Sequence, residues 1–160
     1  MRAPAAHRVA VTALGHSCRG DDAVGILVAE ALRGLLPQDV PVLFDSGDAL
    51  SLLDLWSDCD VLVCVDACAS MGNPGQVHRL DLSTDPLPPQ GGGTSSHGFG
   101  LAEAIALART LQLTPRKIIV YAIEGRCFDP GLKPTAEVAA AVAPLARGIA
   151  REVARLRQAI

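Results

Sequence analysis

A chain of 160 residues that is 49% hydrophobic but only 3% aromatic is long enough to bury one core, and must build it from Ala, Val, Leu and Ile. A net charge of -3 leaves no basic face for nucleic acid, and no run approaches the roughly 18 uncharged apolar residues of a membrane span. Five cysteines, Cys18, Cys59, Cys64, Cys68 and Cys127, form an odd set with no Cys-x-x-Cys pair; they fit a reducing cytoplasm, not a disulfide framework or a zinc ribbon.

The run from Arg8 to Leu14, rich in Val and Ala and bounded by Gly15, reads as a first strand. From Asp22 to Leu36 the residues Val24, Leu27, Val28, Ala31, Leu32 and Leu35 recur at three and four, a helical stripe that Pro37 ends. Asp21 and Asp22 complement the positive end of that helix. Val40 to Phe44 is a second strand, and Asp45-Ser46-Gly47-Asp48 turns the chain into a short helix through Trp56. Asp60 to Asp66 is a continuous apolar run of the kind buried on both sheet faces, read as a third strand closing on Asp66. After a Gly72-Asn73-Pro74-Gly75 turn, Gln76 to Leu82 alternates polar and apolar residues, as a half-exposed antiparallel edge strand does.

Residues 83–98, rich in Pro and Gly, form a long irregular segment, which in a compact chain is functional or disordered. Leu101 to Leu113 is helical by its stripe, Ile118 to Ile123 is a fifth strand, and Pro134-Thr135 opens a terminal helix to about Gln158 that Pro144 kinks or divides. The order β-α-β-α-β-β-α-β-α predicts one α/β domain over residues 1–160. It is a three-layer α/β/α sandwich whose five-stranded twisted sheet is mostly parallel, with one antiparallel edge strand.

In such sheets ligands bind in the crevice at the carboxyl ends of the strands. Asp22 at a helix start, Asp66 at a strand end and His97 before a helix all open onto that edge. Two carboxylates and an imidazole suit a divalent transition metal, although Asp22 also fits a helix cap and His97 a solvated loop residue. Asp66 is harder to assign to structure alone, because a carboxylate closing a buried strand costs several kcal/mol of desolvation unless paired or wet. Asp45 also ends a strand, but Asp45-Ser46-Gly47 is equally good turn chemistry. Cys64, Asp66 and Cys68 share a face if the strand runs on, a pattern open to a soft metal or a nucleophile, against the simpler reading of buried apolar thiols. Gly15 and Gly20 do not make a phosphate loop, since Asp21-Asp22 stands where Lys and Ser or Thr are needed.

Over nearly its whole length the chain resembles the hydrogenase maturation endopeptidases, which trim the C-terminal extension from the large subunit of nickel–iron hydrogenases after nickel insertion. Five stretches carry the resemblance in order: Ala13-Leu14-Gly15-His16 through Asp21-Asp22-Ala23-Val24-Gly25, then Asp45-Ser46-Gly47, Asp66-Ala67, Ser96-His97 and Gly131-Leu132-Lys133-Pro134. Ala13 and His16 depart from the family's Gly and Asn. The resemblance implies that Asp22, Asp66 and His97 contact nickel carried by the large-subunit precursor, with Asp45 as an auxiliary catalytic candidate and no organic cofactor. A carboxylate, Asp22, Asp66 or Asp45, then takes the proton of the attacking water. Two other readings use the same residues: an autonomous metallohydrolase that keeps its own metal, and a non-catalytic chaperone for nickel or the hydrogenase precursor.

Overall fold

The computed structural model describes residues 8–45, 49–84 and 101–158. In chain order the elements are β1 (Val9–Leu14), a 3-10 turn (Gly20–Ala23), α1 (Val24–Arg33), β2 (Val42–Asp45), α2 (Ala49–Trp56) and β3 (Val61–Cys68). There follow β4 (Val77–Asp81), α3 (Leu101–Thr110), β5 (Lys117–Glu124) and α4 (Ala136–Gln158). The strands form one sheet in the order β2-β1-β3-β5-β4, with β1, β2, β3 and β5 parallel and β4 antiparallel to β5 at one edge.

Hydrophobic patterning explains the layers. Every residue of β1 and β3 is buried, as a strand covered on both faces requires. Val9, Val11, Val61, Val63 and Val65 pack under α1 and α4 with Val24, Val28, Leu32, Leu145 and Ile149. Ala10, Leu14, Leu62 and Cys64 pack on the other face with Leu52, Trp56, Ile105 and Ala108 of α2 and α3. Each fully buried Leu or Ile contributes about 1.5–3 kcal/mol, so these two clusters are the main cohesive force. Among the described residues no helix is long and apolar enough to cross a membrane.

The connections decide where a ligand can enter. From β1 the chain moves outward through α1 to β2, then returns through α2 past β1 to β3. Right-handed crossovers taken in opposite directions put α1 and α2 on opposite faces. In sheets of this kind the loops on the two sides of such a switch diverge and ligands bind at the carboxyl ends of the flanking strands, here β1 and β3.

Three details differ from the sequence expectation. Asp66 does not close β3: pairing continues through Ala67 to Cys68, opposite Ile123 and Glu124 of β5. A 3-10 turn, not α1, carries Asp21 and Asp22. Pro144 does not divide α4, which is one helix of 23 residues.

Candidate functional site

Asp22 and Asp66 stand on the two sides of the switch in sheet order. Asp22 follows β1 and is 2% exposed; Asp66 lies in the last turn of pleat of β3 and is 5% exposed. Two backbone features bring the first of them inward. Gly15, with φ of 133°, lets the chain fold back so tightly that a Cβ there would overlap the Asp22 carbonyl oxygen. The returning turn then lets the His16 N–H donate to Asp22 Oδ2 at 3.1 Å. Asp66 Oδ1 accepts the N–H of Ala67 at 2.8 Å, a local bond that fixes the rotamer of one oxygen.

The first turn of α1 sits directly over these strand ends. A Cβ at Gly25 would lie 2.8 Å from the Val65 carbonyl oxygen and closer still to that of Leu14. Asp45 ends β2 opposite Leu14, while Ala13 pairs Val65 on the other side of β1. The Asp45 and Asp66 backbones thus flank β1, two strand spacings or about 10 Å apart. His97 lies outside the described residues. Among the described residues no group of three or more His, Cys, Asp or Glu side chains is arranged to hold a metal ion.

Asp21, read from sequence as a partner for the start of α1, serves a different helix. Its buried carboxylate accepts the Arg126 and Cys127 N–H groups at 2.7 and 3.0 Å and the Thr135 N–H at 2.6 Å, plus the Thr135 hydroxyl at 2.9 Å. Thr135 immediately precedes α4, so Asp21 ties the turn after β1 to the entry of the last helix. Burial alone would push the Asp21 carboxyl up, but these donors together outweigh it and hold it below the ordinary carboxylate value.

Glu124 is a second anchor that the sequence reading passed over. It ends the apolar run of β5 just as Asp66 sits near the end of β3, so the same signal was available. Its Oε1 accepts the Met71 and Asn73 N–H groups at 2.7 and 3.2 Å, and its Oε2 meets His78 Nε2 at 2.7 Å. These bonds fix the loop that follows β3 beyond Asp66. The His78 contact first, then the backbone donors, holds the Glu124 carboxyl below its usual range.

Both depressed carboxyls predict the same pH response. A carboxylate with a lowered folded pKa contributes stability above its unfolded value, lost as pH falls through the folded one. The ordinary values are 3.8 for Asp21 and 4.5 for Glu124. Thermal melts should therefore be flat from neutrality to about pH 5 and fall below it. A Tm that holds constant down to about pH 3 would contradict both anchors.

The cysteine alternative does not survive the geometry. β3 does run on, so Cys64 and Cys68 share an alternation with Asp66, but both thiols are buried. Burial raises the Cys64 thiol above its ordinary range, and burial with the neighbouring Glu124 and Asp66 charges pushes Cys68 up to about 11. They remain protonated at neutral pH and behave as small apolar residues.

Known proteins share this architecture. A family model described as "Hydrogenase maturation protease" matches residues 26–152, a span that includes Asp66 and His97 and starts four residues after Asp22. The Hydrogenase 2 maturation protease of Escherichia coli (strain K12) is 29% identical over 141 residues, 81% of this chain and 82% of that one. The hydrogenase maturating endopeptidase HybD from E. coli superposes with a TM-score of 0.75 at 25% identity, over 92% of this chain and 93% of that one. The solution structure of an endopeptidase from Escherichia coli gives 0.73 at 26% identity over 89% of each chain.

Proposed function

The chain belongs to the hydrogenase maturation protease family and is an endopeptidase of hydrogenase maturation, and on that footing we propose that it removes the C-terminal extension of a nickel–iron hydrogenase large-subunit precursor after nickel insertion. In this reading Asp22, Asp66 and His97 recognise nickel borne by the substrate, and Asp45 is an auxiliary group at the same edge. The observation that carries the reading is the placement of Asp22 after β1 and of Asp66 near the end of β3, the two strands at which the sheet order reverses.

His97 is compatible with that site by chain length. The connection 111–116 joins α3 to the start of β5, so α3 runs toward the amino edge of the sheet and begins near the carboxyl edge. Leu101 is four positions after His97, at most about 14 Å of chain.

The chemistry is hydrolysis of one peptide bond. Nickel held in the precursor polarises the scissile carbonyl, water adds to its carbon, a site carboxylate takes the water proton, and that proton leaves with the amine as the C–N bond breaks. Holding metal, water and peptide together removes much of the entropic part of a barrier that enzymes lower by about 8–23 kcal/mol. Borrowing the metal from the substrate also makes cleavage conditional on nickel insertion.

The deciding experiment compares nickel-loaded with nickel-free precursor, with product mass as the readout. Truncation of the loaded form only is the expected outcome. Equal cleavage of both would refute nickel recognition. Stoichiometric metal retained through dialysis, together with cleavage of unrelated peptides, would identify an autonomous metallohydrolase instead.

A further inference from the structure

Asp22 stands on a four-residue 3-10 turn, with the local His16 N–H on its Oδ2. The turn itself is also held from the far end of the chain. Besides the four donors on the Asp21 carboxylate, the Asp21 N–H donates to the Cys127 carbonyl at 2.8 Å. The Gly20 N–H donates to Leu132 O at 2.9 Å, and the Gly131 N–H to Cys18 O at 2.7 Å. The turn is thus laced to the 126–135 segment at Cys18, Gly20 and Asp21, and Asp22 is the next residue along.

From this lacing we propose that Asp21 is a positioning residue for peptide cleavage: it fixes the turn that presents Asp22 to the substrate, through the Arg126, Cys127 and Thr135 donors. The inference rests on the reading of Asp22 as a substrate contact. Asp21 itself touches no substrate. Its importance comes from acceptor geometry, because Oδ2 faces two N–H groups and Oδ1 an N–H and a hydroxyl. An Asn of the same size must aim its NH2 at one of these sets of donors, and the turn must shift to relieve the conflict.

The test is steady-state cleavage of nickel-loaded precursor by Asp21→Asn, Thr135→Val, Thr135→Ser, Asp22→Asn and Val153→Ala, all assayed well below the lowest Tm of the set. Val153 is fully buried in α4 beyond the 126–135 segment, so its truncation lowers global stability without touching the turn. Asp21→Asn should lower kcat/KM by about tenfold or more, the usual scale for a residue supporting a ligating group. Thr135→Val should lose part of the activity and Thr135→Ser, which keeps the hydroxyl, should retain it. Val153→Ala should lose Tm and keep kcat/KM.

Parental cleavage by Asp22→Asn would remove the premise and the inference together. An inactive Asp22→Asn beside a fully active Asp21→Asn would overturn the inference alone. Activity that follows Tm equally in Asp21→Asn and Val153→Ala would also overturn it. Should Asp21→Asn fail to fold, equal activities of Thr135→Val and Thr135→Ser would serve as the overturning result.

Discussion

Asp66→Asn is expected to lower kcat/KM for precursor cleavage by about a thousandfold or more while leaving Tm unchanged or raised. The two halves of this expectation have one cause. Asp66 is 5% exposed inside a strand of otherwise apolar residues, a place where an ionised group costs several kcal/mol of solvation. An amide oxygen can still accept the Ala67 N–H, so the backbone bond survives substitution. What disappears is the charge needed to meet a cation or to take a proton. Circular dichroism melts and product masses for parent and variant test both halves, and parental cleavage by Asp66→Asn would remove the residue from the site.

Gly25→Ala should destabilise the protein by about 3–5 kcal/mol, a Tm loss on the order of 10–15 °C for a chain of this size. The sign is opposite to helix propensity, which favours Ala over Gly inside a helix by about 1 kcal/mol. Backbone geometry decides the matter. The new methyl would lie 2.8 Å from Val65 O and closer to Leu14 O, and these strand carbonyls cannot rotate aside as a flexible side chain would. The first turn of α1 would have to lift from the sheet and carry Asp22 with it. A Tm equal to or above that of the parent would mean that α1 is not seated on the ends of β1 and β3.

Much of the architecture was legible because local patterns agreed with the final packing. The apolar run of β3, the three-and-four stripe of α1 and the alternation of β4 each predicted the observed element and its burial. The antiparallel edge strand followed from the same alternation. Boundaries were less legible where a charged residue looked like punctuation. Asp66 looks like the end of β3, but pairing with β5 carries the strand two residues further. Pro144 predicts a kink or division in α4, which nonetheless stays one helix, with Leu145, Ala146, Ile149 and Val153 buried after the proline.

The site was legible only where chain position implies an edge. Asp22 and Asp66 could be placed by the rule for strand ends, and the structure puts both there. Asp21 could not be understood from its neighbours, since every donor to its carboxylate lies more than a hundred residues away. Glu124 carries the same signal as Asp66, a carboxylate at the end of a buried apolar run, but its partners Met71, Asn73 and His78 lie 53, 51 and 46 residues away in sequence.

The span between Asp21 and its partners also bears on how the protein comes to exist. Arg126, Cys127 and Thr135 lie 105, 106 and 114 residues downstream, and β3 must find both β1 before it and β5 after it. Contacts of such sequence separation form late, after the cost of closing long loops has been met. A nascent chain released or stalled before Thr135 leaves the ribosome with an unmoored turn where Asp22 should be held. A chain ending there lacks the Thr135 donors to Asp21 and the whole of α4, so the last anchors of the cleavage-site turn are also the last part of the protein to be made.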